Sequence, residues 1–255
     1  MIKAAFFDID GTLLSFKTHA VSPGTIRAFQ FLRSQGILTF ISTGRPTVLI
    51  PAMPLQFDGH ITMNGGYVYC GSEVLLQQPI PDDETARWVE YARLHNICTM
   101  SFTERNMYVC NVNDIGLGIR NQLEFPMPPV VPCERLLEET SYQIIAVMPP
   151  ERDAEVQALL PHCRLPRWHN AFTDVVFHGN SKAVGMESVC RHFGIRREET
   201  IAFGDGGNDI EMLQWAGIGV AMGNAASEVQ DIADYVTTTV DDEGIERALK
   251  HLLDI

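Results

Sequence analysis

Two aspartates one residue apart, Asp8 and Asp10, close the apolar run Ala4-Ala5-Phe6-Phe7, with Gly11-Thr12 behind them. A short apolar run bounded by glycine reads as a buried strand. Carboxylates at the end of such a strand are costly unless a cation neutralises them, and hard divalent ions favour carboxylate oxygens. Three further polar clusters follow: Thr43-Gly44, Lys182, and Asp205 with Asn208 and Asp209. The chemistry these types imply is phosphoryl transfer through a carboxylate nucleophile. A phosphate monoester dianion repels an attacking carboxylate, so positive charge must be supplied locally, and Mg2+ with Lys182 can supply it. The Thr43 hydroxyl and the Gly44 N–H can bind phosphoryl oxygens. Asp10 is a candidate to protonate the leaving oxygen and then activate water. Asp205 can ligate the metal, with Asn208 and Asp209 clustered beside it at a helix start.

These residues need elements that bring them together. Strand-helix alternation opens the chain: a strand over 4–7, a helix from the cap Ser22-Pro23 to the stop Gly36, a strand over 37–41, and a new helix starting at 42–46. A strand over 61–63 ends at Asn64-Gly65-Gly66, and 67–69 returns as a hairpin. The break at Pro79-Ile80-Pro81 starts a different texture: a helix over 84–95, strands over 97–102 and 107–112 around a hairpin tip at Glu104-Arg105, and an irregular proline-rich stretch over 126–132. A strand over 142–148 and a helix over 151–160 follow. From 181 the first rhythm resumes, with a helix stopped by Gly194, a strand over 200–203 and a strand over 218–221. Alternation of this kind predicts a parallel sheet, and open α/β sheets gather their sites at the carboxyl ends of the strands. Three of the four clusters meet there by topology, and Lys182 starts a helix placed to reach the same edge.

The 255 residues carry a net charge of −13, which argues against nucleic acid and anionic membranes as partners. No apolar stretch approaches the roughly 20 residues needed to span a bilayer, and Met1-Ile2-Lys3 runs straight into the first strand with no leader pattern. The six cysteines form no Cys-x-x-Cys pair, so zinc and thioredoxin-like chemistry are disfavoured. They are expected as free, buried small hydrophobes in a reducing cytoplasm. Gly204-x-Gly206 resembles a dinucleotide turn only superficially, since Asp209 stands where the third glycine belongs.

Asp8-Ile9-Asp10-Gly11-Thr12, Ser42-Thr43-Gly44-Arg45, Lys182 and Gly204-Asp205-Gly206-Gly207-Asn208-Asp209 resemble, in order and spacing, the four motifs of the haloacid dehalogenase superfamily. The long segment between Thr43 and Lys182 is similar to the large α+β cap (C2B) of its Cof-type branch, subfamily IIB, and Asn64-Gly65 matches a turn of that group. The resemblance covers nearly the whole chain and is nearest to bacterial sugar phosphate phosphatases, hexose phosphatases among them. It implies a Rossmann-like three-layer α/β/α core over 1–81 and 181–255 and an inserted cap over 82–180, hinged near 79–83 and 178–180. It implies Asp8 as nucleophile and Asp10 as acid/base. Thr43, Gly44, Lys182 and Asn208 would bind phosphate. Asp8, the Asp10 carbonyl and Asp205 would hold Mg2+, with Asp209 supporting the metal. Asn64 and Arg45 are possible substrate contacts, although Asn64 also suits a plain turn and Arg45 a plain salt bridge. Asn180 departs from the pattern, where an apolar residue is usual.

The implied protein is a cytoplasmic phosphatase of small phosphate esters, a monomer or weak homo-oligomer. A sugar phosphomutase on the same scaffold and a non-catalytic phosphosugar sensor are the rival readings. The mutase would isomerise sugar phosphate and release little free phosphate, and the sensor would leave Asp10 without a use. Trp168, His169 and His178 are further candidates to contact substrate, weighed against the commoner case of histidines with no such task.

Overall fold

The structure, a computed structural model, describes residues 1–122, 128–167 and 169–253. In chain order its strands and α-helices are β1 (Ala4–Phe7), α1 (Pro23–Ser34), β2 (Leu38–Ser42), β3 (Gly59–Thr62), β4 (Tyr67–Cys70), β5 (Glu73–Gln77), α2 (Asp82–Leu94), β6 (Thr99–Phe102), β7 (Met107–Cys110) and α3 (Asp114–Gln122). There follow β8 (Gln143–Ala146), α4 (Asp153–Leu159), β9 (Cys163–Arg164), β10 (Thr173–Phe177), α5 (Lys182–Phe193), β11 (Thr200–Gly204), α6 (Ile210–Trp215), β12 (Ile218–Ala221), α7 (Ser227–Gln230), β13 (Tyr235–Val236) and α8 (Gly244–Leu252). The chain divides into two compact units, one of Met1–Arg45, Pro51–Gln77 and Ser181–Ile255, the other of Pro46–Ile50 and Gln78–Asn180.

The first unit is built on a sheet ordered β13-β12-β11-β1-β2-β3-β4-β5. From β13 to β3 every pairing is parallel; β4 and β5 are antiparallel additions at the β3 edge. β1 is central and its side chains divide by alternation. Ala5 and Phe7 enter a core with Phe29 and Leu32 of α1 and Ala248 and Leu249 of α8. Ala4 and Phe6 enter the opposite one with Met186 and Val189 of α5 and Met212 and Leu213 of α6. A strand buried on both faces must be apolar throughout, which is why Ala4–Phe7 shows no polar alternation. The result is a three-layer α/β/α sandwich.

Local chemistry fixes the helix ends. Ser22 caps α1 by accepting from the Thr25 N–H at 3.1 Å, and Ser181 caps α5 by accepting from Val184 at 3.2 Å. Gly194 ends α5 in the left-handed conformation at φ 64°. The helix expected from 42–46 does not form. A single 3₁₀ turn, Thr47–Leu49, stands in its place, because Pro51 and Pro54 withhold N–H donors that a continuing helix needs.

The second unit is an antiparallel sheet ordered β7-β6-β8-β10-β9. Trp88, Tyr91 and Ala92 of α2 and Val156 of α4 pack with Ile144 and Ala146 of β8 and Val175 of β10. The whole is a Rossmann-like α/β/α core with an inserted α+β cap. Two cysteines correct the sequence expectation: Cys110 and Cys133 form a disulfide, their Cα atoms 5.2 Å apart. The Val131 N–H donates to the Val109 carbonyl at 2.9 Å, and this pairing carries Cys133 to the end of β7. The other four remain free thiols, of which Cys98, Cys163 and Cys190 are buried. Part of the proline-rich stretch, residues 126 and 127, lies outside the described residues. Among the described residues no helix is long and apolar enough to cross a membrane.

Candidate active site

The parallel strands β1, β2, β3 and β11 end at Phe7, Ser42, Thr62 and Gly204, so the residues that follow share one edge of the first unit's sheet. The Asp8 N–H prolongs the ladder by donating to the Phe203 carbonyl at 3.0 Å. The chain then turns sharply at Gly11, where φ is +83° and a Cβ would stand 2.1 Å from Asp205 Oδ2. Only glycine fits there.

Lys182, the first residue of α5, is fully buried. Its Nζ donates to Asp8 Oδ1 at 2.6 Å and to Asp209 Oδ1 at 2.5 Å. The other Asp209 oxygen accepts from the N–H groups of Asp205 at 3.0 Å and Gly206 at 2.9 Å. Asp209 thus shapes its own loop and holds the lysine, with both oxygens committed. Asp8, Asp205 and Asp209 each offer an oxygen within 4.8 Å of the others, the one such cluster of potential metal ligands among the described residues. Burial pushes Asp8 up to about 8, helped by the Asp209 and Asp205 charges and opposed by Lys182. Burial also lifts Asp205 to about 6, with Asp209 adding to it. For Lys182, burial works against the charge, but Asp209 and Asp8 outweigh it and hold the ammonium above its ordinary range. Three carboxylates against one ammonium leave an excess of negative charge around hard oxygen donors, and a divalent cation fits that set.

Asp10 faces a different partner. Arg45 grips it with a two-pronged fork, Nε to Oδ2 and Nη2 to Oδ1, both at 2.7 Å. Arg45 therefore neutralises a carboxylate of the site. Thr43 is buried and its hydroxyl accepts from the Arg45 N–H at 3.1 Å, while Gly44 lies next to the carboxamides of Asn64 and Asn208. Those two amides meet, Asn208 Nδ2 donating to Asn64 Oδ1 at 2.9 Å. All ten candidates from the motifs and their neighbours thus fall in one unit, and hydrogen bonds or close approach link them in three groups: Asp8 with Lys182, Asp205 and Asp209; Asp10 with Arg45 and Thr43; and Gly44 with Asn64 and Asn208.

His169 and His178 belong to the second unit, where His169 stacks on Phe172 at 5.0 Å and His178 Nδ1 lies 2.8 Å from the His162 carbonyl. Trp168 lies outside the described residues. Two residues had no role in the sequence reading, Thr12, which stands in the first motif, and Asn224, which lies outside all four. The Thr12 hydroxyl donates to Asp205 Oδ1 at 3.0 Å, and Asn224 donates to Asp205 Oδ2 at 3.1 Å and to the Gly11 carbonyl at 2.9 Å. Both fix the Asp205 carboxylate. Asn224 follows β12, the next parallel strand along, so its position after a strand end was the available signal.

Residues 5–249 match the family model of haloacid dehalogenase-like hydrolases. Among solved structures, BT4131, described as a subclass IIB sugar phosphatase of that superfamily, is 40% identical, with a TM-score of 0.88 over 99% of this chain and 100% of its own. A Bacillus subtilis protein named "Putative phosphatase YkrA" is 32% identical over 98% of this chain and 97% of its own length. YitU of the same organism, a 5-amino-6-(5-phospho-D-ribitylamino)uracil phosphatase, is 28% identical over 95% and 94%. Phosphatases of this superfamily generally use a divalent metal, in keeping with the Asp8, Asp205 and Asp209 cluster. The chain belongs to the haloacid dehalogenase superfamily, as a phosphatase of its subclass IIB.

Proposed function

We propose that the chain hydrolyses small phosphorylated metabolites, sugar phosphates first among them, through an aspartyl-phosphate on Asp8 and with Mg2+. The observation that carries this reading is the buried Lys182 bridge between Asp8 and Asp209, with a second carboxylate, Asp10, two residues from the first and paired with a different cation, Arg45. Lys182 takes Oδ1 of Asp8, which leaves Oδ2 to attack phosphorus as the bond to the leaving alcohol breaks. Asp10 gives the leaving oxygen its proton. A water then attacks the phosphorus, Asp10 takes the water's proton, and inorganic phosphate leaves as Asp8 is regenerated. Both Asp10 oxygens are paired with Arg45, so Asp10 serves as an acid only once that fork loosens. Thr43, Gly44 and Asn208 hold phosphoryl oxygens, and Lys182 favours the ionised form of Asp8 that attacks. Mg2+ would be held by Asp8, Asp205 and the Asp10 carbonyl, where it supplies positive charge to the phosphoryl group. The unit of Pro46–Ile50 and Gln78–Asn180 is the cap that selects the leaving group.

The sugar phosphate assignment is supported by the 40% identity to BT4131, and the likeness to YitU makes phosphorylated polyols the next class to try. Phosphate release from sugar, polyol, nucleotide and vitamin phosphates, with Mg2+ or with EDTA, tests the reading. Release is expected to need the metal and to fall at least a thousandfold in Asp8→Asn, with the melting temperature kept, on the order seen when catalytic nucleophiles are removed. Turnover by Asp8→Asn near the wild-type rate would remove Asp8 as nucleophile.

A further inference from the structure

Met63, Asn64 and Gly65 lie in the left-handed region one after another, at φ 51°, 53° and 89°. Non-glycine residues are held there only when their surroundings over-determine the conformation, and such strain gathers at functional sites. The surroundings here are two catalytic-edge loops. The Met63 N–H donates to the Arg45 carbonyl at 3.1 Å, and the Asn64 N–H donates to the Thr43 carbonyl at 3.0 Å. Gly65 presses so close to the start of α5 that a Cβ would stand 2.0 Å from the Ser181 carbonyl oxygen. The turn therefore joins the Thr43–Arg45 loop to the residue that caps the Lys182 helix, and the Asn64 side chain lies beside Gly44 and Asn208.

The Asn64 carboxamide is oriented by the hydrogen bond its Oδ1 accepts from Asn208 Nδ2. A carboxamide nitrogen carries two N–H groups. Asn208 spends one on Asn64 and keeps the other. Among the described residues no acceptor takes a hydrogen bond from Nδ2 of Asn64. A Cβ on Gly44 would lie 3.2 Å from both Nδ2 and Oδ1 of Asn64 and 3.4 Å from Asn208 Nδ2, so the two carboxamides stand close beside the Gly44 backbone, which only a residue without a side chain leaves open to them. A backbone N–H and two amide nitrogens with hydrogens to spare are what a multiply charged oxyanion takes, and neutral donors add no charge that would compete with Lys182 for Asp8.

We infer that Asn64 is a phosphoryl-binding residue, its Nδ2 donating to a phosphoryl oxygen while Asn208 and the left-handed turn hold it in place. The inference rests on the phosphatase reading and adds a donor to it. Asn64→Gly keeps the left-handed backbone and removes the amide. Asn64→Asp keeps an acceptor for Asn208 and replaces the donor with a carboxylate. Dissociation constants for inorganic phosphate and orthovanadate are measured by calorimetry beside melting temperatures and kcat/KM on p-nitrophenyl phosphate. Loss of one hydrogen bond to a charged group is expected to weaken phosphate binding by about tenfold or more in Asn64→Gly. Asn64→Asp should weaken it further, through like-charge repulsion, and both should melt close to wild type. Wild-type phosphate affinity in both variants would overturn the inference and leave the phosphatase reading standing. A wild-type protein that neither binds phosphate nor releases it from any ester would overturn both.

Discussion

Lys182 is one ammonium shared by two carboxylates with a third nearby, and that imbalance has a measurable consequence. An unfolded aspartate titrates near 3.9, whereas burial places Asp8 at about 8 and Asp205 at about 6 in the folded protein. A raised carboxyl pKa means that the folded state holds the proton more tightly than the unfolded state. Each group then favours folding at low pH, and that contribution is lost as pH climbs from about 4 to the folded value. The metal-free protein should therefore lose stability between about pH 4 and 8. Added Mg2+ should raise the melting temperature more at pH 8 than at pH 5, where protons occupy the oxygens it would take. Melts in EDTA and in excess Mg2+ at three pH values check this, and an equal metal-induced shift at pH 5 would contradict it. The residue types at this site were legible in the sequence because each follows an apolar run or opens a helix. The Arg45 fork on Asp10 and the Asn224 brace on Asp205 were not. They depend on side-chain direction between residues 35 and 19 positions apart, which spacing does not reveal.

Among the elements, the left-handed turn before β4 is the most exacting. Gly65→Ala combines a left-handed backbone at φ +89° with a Cβ driven against the Ser181 carbonyl. Left-handed strain and overpacking together should cost roughly 2–4 kcal/mol. Gly36 supplies the control: its φ is +69°, yet nothing lies within 4 Å of a Cβ there. Gly36→Ala should cost only about 1–2 kcal/mol. Urea unfolding of the two variants ranks them, and equal losses would show that the crowding at Ser181 is harmless. Elements of the first unit could be read from local signals, since buried runs, the Ser22 and Ser181 caps and the Gly194 stop all act within a few residues. The second unit was harder. Helix α3 contains Gly116 and Gly118, which weaken helix propensity. It forms where Asn113 Oδ1 accepts from the Gly116 N–H at 2.9 Å and where Gly116 lets Cys98 come close. That second condition is a tertiary contact, invisible in a window of sequence. The reverse error arose at residues 42–46, where a strand end and a cap-like Ser42-Thr43 suggested a helix that the prolines beyond it forbid.

At the scale of the whole molecule, the charge and the cysteines are distributed between two units with separate cores. The chain as a whole is acidic at −13 and Lys182 and Arg45 of the first unit are both paired with carboxylates, so in the proposed reaction the attraction for a phosphate ester must come locally from the metal and from N–H donors. The disulfide lies in the second unit. Nothing in its spacing announced it, because the two cysteines are 23 residues apart and the pairing of Val131 with Val109 that joins them is itself long-range. Closing a loop of that length restricts the unfolded chain by about 3 kcal/mol in the chain-entropy account. Reduction should therefore lower the stability of the second unit, while phosphate affinity, which the proposed site places on residues of the first, should stay as it was. A ligand that binds the folded state alone stabilises by mass action the unit that carries its site. Dithiothreitol and phosphate are thus expected to act on different parts of the unfolding profile. The thiol count decides whether the premise holds. In denaturant without reductant, a colorimetric thiol reagent should find four thiols, and after reduction six, matching the one disulfide and four free cysteines. Six thiols before reduction would mean that Cys110 and Cys133 are unbonded in solution, and the stabilisation assigned to their bond would vanish with it.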